Sequence, residues 1–395
     1  MFQRATSQRL VRCCGGGWLL LAASIVWSQT QSDQDADKAA APRARMDILA
    51  PQEWDAVREA IDRGLVFLAS QQQPDGSFPA YPTGNPAITS FCVMAFLAQG
   101  HSPGEGRYGR AMDRAIDYAL ACQRKDGLIA KIPPLGDDID PSRNPSHTAI
   151  YNHAITGVML CEVYGMVDAE RSQKIGAAIE RALRFTLDQQ LWPKRLQEDV
   201  GGWRYVRRHT PEIADSDLSH TSWQLTFLRA AKNAGFDVPS ERIKLAIHYI
   251  QTRFSPTDGT FHYAARQRQE GLVATAGAGI LSLSMSGLHN SSMAQSAADW
   301  LLQQPFDPYP NRQIERYHYA AFLSSMAMFQ MGGRYWEQFF PVLAKELVGG
   351  QRSNGSWKYG LLQRDNEARW GTAYTTSMAI LALAAPNQLI PVYQR

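Results

Sequence analysis

Gln351-Arg352-Ser353-Asn354-Gly355-Ser356-Trp357 is a glutamine, a tight turn around Asn-Gly, and an aromatic residue. The same arrangement stands at Gln71-Gln72-Gln73-Pro74-Asp75-Gly76-Ser77-Phe78, with a shorter form at Gln123-Arg124-Lys125-Asp126-Gly127. Each copy follows an amphipathic helical stretch and precedes a more apolar one. The glycine tolerates the positive φ that such a turn needs. The aromatic residue is free to fold back on the helix just left. A period of about 50 residues means one supersecondary unit copied in tandem.

In the first unit, Ala60, Ile61, Leu65, Phe67 and Leu68 share one helix face that ends at Gln71. Residues 88–98 are almost all apolar and stop at Gly100. A helix that is apolar all round is buried, and its amphipathic predecessor covers it. The pattern predicts further outer helices over 110–123, 172–190, 240–253, 294–304 and 339–351, and inner ones over 147–164, 218–234, 272–286, 317–331 and 373–384. Gly100, Gly165, Gly235, Gly287 and Gly332 stand just past inner helices, where glycine suits a left-handed cap; the sixth runs into Pro386. Six such pairs close most simply into an all-α, α/α toroid, a barrel of six inner and six outer helices.

The units resemble those of the squalene cyclase and protein prenyltransferase repeat superfamily, the terpenoid cyclase-like toroids. The likeness rests on the Gln-x-x-Asp-Gly-Ser-aromatic pieces at 73–78 (partial) and 351–357, and extends over roughly residues 54 to 385. It implies the toroid fold and is poor for activity, because a glutamine, a turn and an aromatic plug are structural parts. More narrowly, Gly201-Gly202-Trp203-Arg204-Tyr205, Thr221-Ser222-Trp223-Gln224-Leu225 and Pro391-Val392-Tyr393-Gln394-Arg395 are similar to secreted bacterial repeat proteins of this type. That likeness implies no particular activity.

The chain has 395 residues, 45% of them hydrophobic, ample for a large core. Length alone suggests two or three domains, but the repeat favours one toroid domain over 51–395. The net charge of +3 misleads: Arg4, Arg9 and Arg12 lie in a leader without acids and account for the whole excess. A neutral remainder carries no electrostatic footprint for nucleic acid. Residues 1–28 read as a signal peptide, with arginines ahead of an apolar run from Trp18 to Trp27 and a cleavage site at Val26-Trp27-Ser28. The run is shorter than the roughly 20 residues needed to span a bilayer, so no stable span is expected after cleavage. Residues 29–50 read as a disordered linker. The expected location is secreted or periplasmic. Cys92, Cys122 and Cys161 fall within apolar helices and read as buried thiols, not a disulfide framework.

Long outer-to-inner connections (124–146, 191–217 and 305–316) should gather where the inner helices begin. Converging helix N-termini favour an anionic or carbonyl-bearing ligand. The competing expectation is that Thr89, Ser146, Ser219 and Thr372 cap their own helices. Asp215-Ser216-Asp217-Leu218-Ser219-His220-Thr221 opens inner helix three and resembles the acidic motif of squalene–hopene-type cyclases. By that resemblance Asp215, Asp217 and His220 are the candidate catalytic group. Alkene protonation needs a strongly acidic carboxyl group in a dry aromatic cavity. Aligned on Thr221 and Leu228, however, the proton-donating aspartate falls on Ser219 and its acidic neighbour on His220. Serine cannot protonate an alkene. For the aspartates the alternative is a helix cap and dipole partner.

His147, Tyr151, Trp203, Tyr205, Trp223, Arg316, Tyr317, Tyr319 and Tyr374 form a candidate ligand-binding wall, aromatic with polar tips, suited to a sugar or a hydrophobic ring system. The competing expectation is that they are core aromatics whose polar tips satisfy one another. His153 lies off the face shared by His147 and Tyr151. No Asp-x-Cys pair occurs, so a prenyltransferase zinc site is not expected, nor any other metal or cofactor. Gly136-Asp137-Asp138-Ile139-Asp140-Pro141 reads as a solvated acidic loop, or else a loose Ca²⁺ or Mg²⁺ site. Signals for nucleotide binding, serine hydrolases and zincins are missing from the sequence. The chain is therefore expected to bind a hydrophobic small molecule, a glycan or a protein at the end of the barrel that carries the inner-helix N-termini. The alternative is a terpenoid cyclase-like or carbohydrate-active enzyme using Asp217 and the aromatic lining.

Overall fold

Helices of two kinds alternate along the chain. The computed structural model describes residues 44–132, 146–206, 214–266, 270–358 and 367–394, with the side chains of Ser146 and His147 also outside the description. The expected signal peptide and most of the linker fall outside it, as does the acidic stretch 136–141. All described residues lie in one compact unit, Ala41–Arg395.

The outer helices are α1 (Pro51–Gln71), α3 (Gly109–Ala121), α5 (Ala169–Gln190), α7 (Ser240–Gln251), α9 (Ser292–Leu302) and α11 (Gly333–Gly350). The inner ones are α2 (Ala87–Leu97), α4 (Ser146–Val163), α6 (Leu218–Asn233), α8 (Val273–Ser284), α10 (Tyr317–Met331) and α13 (Thr372–Leu383). A one-turn helix, α12 (Glu367–Trp370), precedes α13, and a two-stranded ribbon, β1 (Phe254–Ser255) and β2 (Thr260–Phe261), follows α7. Each inner helix packs on the next, and α13 packs on α2, so the inner ring closes. Every residue of α2 and α10 is buried, whereas α3 buries one stripe, Met112, Ala115, Ile116 and Ala119 among it. The all-α toroid expected from the repeat is the fold observed.

The five glycines past the inner helices all take left-handed φ, between 66° at Gly332 and 90° at Gly235. One boundary differs from the pattern. Helix α11 begins at Gly333, not near 339, because Gly332 both ends α10 and caps α11 without a loop. Pro341 sits inside α11. The helix accommodates it because Trp336, Phe339, Phe340, Leu343 and Leu347 anchor its inner face.

The repeated turn is a clamp between neighbouring outer helices. Gln351 Nε2 donates to Gly355 O in its own turn at 2.9 Å and to Ala60 O of α1 at 2.7 Å. Gln72 bridges Gly76 O and Ala111 O of α3, Gln123 bridges Gly127 O and Ala178 O of α5, and Gln190 bridges Gly201 O and Arg242 O of α7. The glycine is required twice over. Gly355 has φ 86°, and a Cβ there would lie 2.3 Å from Arg63 O. Gly76, Gly127 and Gly201 meet Arg114 O, Arg181 O and Leu245 O in the same way. The aromatic plug then ties the turn to the inner ring: Trp357 N–H donates to Thr376 Oγ1, Trp203 N–H to Thr221 Oγ1 and Phe78 N–H to Thr89 Oγ1. In the second unit Ile129 N–H donates instead to His153 Nδ1, so this imidazole stands in for a threonine. Burial holds it down to a pKa of about 3. Around α9 the clamp is replaced: Ser296 Oγ donates to Gly259 O, and Gln304 turns to Trp300 O of its own helix.

The C-terminal tail closes the ring at the end where the inner helices finish. Tyr393 is buried with its ring 6.1 Å from that of Phe322, and its carbonyl accepts from Gln330 Nε2 at 2.5 Å. Glu162, near the end of α4, accepts from the Val392 N–H, and burial raises its pKa to about 7.

Three substitutions have expected effects on stability. In thermal and denaturant unfolding, Gly355→Ala should cost about 2–4 kcal/mol, from the left-handed backbone and the blocked contact. Gln351→Ala should cost less, about 1–3 kcal/mol, from the two hydrogen bonds it removes. Glu162 has a raised folded pKa, so its penalty is absent below the unfolded value near 4.5, grows through the interval, and is complete above about 7. Glu162→Gln should therefore raise stability at pH 8, by on the order of 3 kcal/mol at most, and have little effect at pH 4. Denaturant titrations at the two pH values check the sign.

Candidate functional site

Helix α6 begins at a polar knot. Asp217 is its N-cap: Oδ1 accepts the His220 N–H at 2.8 Å, and Oδ2 accepts His220 Nδ1–H at 2.7 Å and the Tyr263 hydroxyl at 3.0 Å. Arg204 Nε lies 3.2 Å from the same Oδ2, an ion pair whose angle falls short of a hydrogen bond. Burial pushes the Asp217 pKa up, but His220, Arg204 and the donated hydrogen bonds outweigh it and hold the carboxylate below its ordinary value. The His220 ring packs against Tyr151, 4.0 Å between centroids. Asp215 points elsewhere, accepting from the Arg195 backbone N–H at 2.7 Å and pairing with its guanidinium at 2.6 Å.

A second carboxylate–imidazole pair serves α10. Glu367 of α12 accepts the backbone N–H of His318 at 2.9 Å and of Tyr319 at 3.3 Å, and its other oxygen meets His318 Nδ1 at 2.8 Å. Glu367 and His318 are both fully buried. Capping thus comes from Asp217 and Glu367, and for α2 from Asn152, whose Oδ1 accepts Ala87 N–H. Thr89, expected as a cap, instead accepts from Phe78, and the Ser219 hydroxyl takes part in a tyrosine network.

Inside the ring, at the N-terminal end of the inner helices, lies an axial cavity of about 150 Å³. By that measure it is the size of a void that holds one benzene. Ile88, Phe91, Ile155 and Trp223 form its apolar part, and Thr148, Tyr151, Arg316, Tyr319, Arg369 and Tyr374 its polar part. Phe91, Trp223, Phe322 and Tyr374 close the floor with rings 5.4–6.4 Å apart. A wider cleft of about 600 Å³ lies beside it, lined among others by Arg204, Tyr205, Ser219, Tyr263, Glu270, Trp300 and Glu315. Arg316 and Tyr319 line both spaces. Between them Tyr151 donates to Ser219 Oγ at 2.8 Å, Ser219 meets Tyr319 at 3.3 Å, and Trp223 Nε1–H donates to Tyr319 at 2.7 Å. Arg316 takes a left-handed backbone, φ 53° and ψ 62°, at the N-cap of α10. For a non-glycine residue that conformation costs about 1–3 kcal/mol.

The structure therefore brings Tyr151, Trp223, Arg316, Tyr319 and Tyr374 together at the axial cavity and places Tyr205 at the wider cleft. Trp203 is the buried plug of its unit, its Nε1–H donating to Thr186 O. Tyr317 is buried against Phe306 and donates to Phe306 O. Asp215, Asp217 and His220 line neither space; Tyr263 and Arg204 stand between Asp217 and the cleft. The side chain of His147 lies outside the described residues. Sequence reasoning missed Arg369, Arg204, Tyr263, Glu270 and Glu315. The rule that residues just ahead of an inner helix face the axis would have found Arg369. No set of His, Cys, Asp and Glu among the described residues is grouped to hold a metal ion.

The sequence matches no protein-family model and no curated protein. Among solved structures the chain is similar to a cellobiose 2-epimerase from Spirochaeta thermophila, with 13% identity over 87% of this chain and 98% of that one, TM-score 0.59. It is also similar to a glycoside hydrolase family 76 mannosidase from Bacteroides thetaiotaomicron, with 14% identity over 85% and 97%, TM-score 0.52. A type II terpene cyclase from Scytonema, in complex with geranylgeranyl dihydroxybenzoate, matches at 13% identity over 87% and 100%, TM-score 0.51. At these identities the likeness is one of fold: the chain shares the α/α toroid of the terpenoid cyclase-like proteins and of these sugar-active barrels.

Proposed function

We propose that this protein binds a small ligand with a ring-sized apolar body and a polar end, held in the axial cavity at the N-terminal end of the inner helices. The carrying observation is the division of that cavity into an apolar floor and a polar rim, while the buried acids nearby are engaged elsewhere. A cyclase acid must be protonated and face the alkene. Asp217 is held ionised and sits behind Tyr263 and Arg204, which supports its role as a helix cap. The reading places the protein outside the cytoplasm, secreted or periplasmic, after removal of residues 1–28. Among the described residues no helix is long and apolar enough to cross a membrane.

A second reading has its own observation. Glu270 and Glu315 line the wider cleft with Trp300, Tyr205 and Tyr263. Carboxylates with aromatic platforms are the parts of a glycan-active site, and two of the similar folds belong to proteins named for sugar chemistry.

Ligand-observed NMR and thermal shift with the mature protein, using hydrophobic small molecules and a glycan panel, test the first reading. Ile155→Trp, which fills the cavity, should abolish binding of ring-bearing compounds and leave the fold intact by circular dichroism. Turnover of squalene or of a polysaccharide that is lost in Asp217→Asn or Glu315→Gln would replace the binding reading with an enzymatic one. Asp217→Asn should also cost about 3–5 kcal/mol in unfolding, because Arg204 stays buried without its counter-charge.

A further inference from the structure

After the last inner helix the chain turns at Gln388, which takes a left-handed backbone with φ 53°, and runs back into the end of the ring. In the segment 388–394, Leu389 is exposed, whereas Ile390, Val392 and Tyr393 are buried. Its short turn Pro391–Tyr393 packs on α6, and Gln330 Nε2 of α10 donates to Tyr393 O. The Tyr393 ring lies 6.1 Å from that of Phe322, and Phe322 in turn meets Phe91 and Trp223 of the cavity floor. The segment therefore stands beneath that floor.

It also covers Glu162 of α4. This side chain is buried and accepts from the Val392 N–H. Its Oε2 is buried as well and meets no donor among the described residues. A buried carboxyl group with an unsatisfied oxygen is costly when ionised and tolerable when protonated. The Val392 N–H favours the ion, but burial outweighs it and lifts the pKa from 4.5 to about 7. Two titratable groups face Glu162: the Cys161 thiol beside it on α4 and the Tyr393 hydroxyl on the segment. Burial pushes both upward, so both stay neutral near pH 7. Among the described residues no charged side chain of α6 or α10 offsets its charge. With the segment withdrawn, water reaches the carboxyl group and its pKa returns toward the ordinary 4.5. The covered state has the higher pKa, so covering is fully favoured below 4.5 and loses its advantage as pH rises to about 7 and beyond.

We propose that segment 388–394 is a proton-controlled strap: it seats beneath the floor of the axial cavity while Glu162 is protonated and lets go when Glu162 ionises.

Hydrogen exchange of the full chain, followed by mass spectrometry at pH 5 and pH 8 and divided by the intrinsic rate at each pH, reads the opening of the strap. Opening at the Val392 and Tyr393 amides should increase roughly tenfold or more between the two conditions, while amides within α4 and α10 keep their protection. In Glu162→Gln, or in Glu162→Leu if the amide variant does not fold, the strap should stay protected at both. Protection of the strap that is the same at pH 5 and pH 8 would overturn the proposal. So would a rise of equal size in the Glu162 variant, or a loss shared by α4 and α10, which would mean general unfolding.

Discussion

A single side-chain amide joins each clamped pair of outer helices. The glutamine at the end of one helix spans from its own turn to a carbonyl of the next, and the glycine in that turn lets the two backbones touch. A carbonyl inside a helix already accepts one hydrogen bond, so the clamp uses its second lone pair and disturbs nothing. The bond from Gln351 back to Ala60 joins the last outer helix to the first and closes the circle. Without that closure the inner helices would have no common axis, and there would be no axial cavity.

Closure creates a difficulty at the inner-helix N-termini. Several sets of backbone N–H groups are brought into a buried place where water cannot satisfy them. The chain meets it with buried carboxylates, Asp217 from the cap position itself and Glu367 from a separate short helix. Each also holds an imidazole Nδ1. Both carboxylates are thereby engaged at helix N-termini, and the described lining of the axial cavity includes arginines, tyrosines and other aromatics. The same division explains why the acidic motif at 215–221 resembles a catalytic one in sequence and occupies a capping position in space.

Much of the fold was legible in the order of residues. Helical periodicity, the turn glycines and the five glycines past inner helices are local signals, fixed by backbone sterics within a few residues of each other. The start of α11 was not legible, because Gly332-Gly333 and Pro341 carry local signals for a break that packing of Trp336 and Phe340 overrides. Of the candidate wall, Tyr151, Trp223, Arg316, Tyr319 and Tyr374 could be named from their place near the start of inner helices. Trp203 and Tyr317 carry the same chemistry and are packed away from the cavities.

The sequence alone determined the repeat, the two classes of helix and their number, because each rests on contacts between residues close in the chain. Tertiary structure alone decided which polar groups face the axis and which are consumed by capping. Glu367 reaches His318 across 49 residues, and Tyr151 reaches Ser219 across 68. No local pattern encodes such pairings; they exist only once the ring has closed and brought the helix ends together.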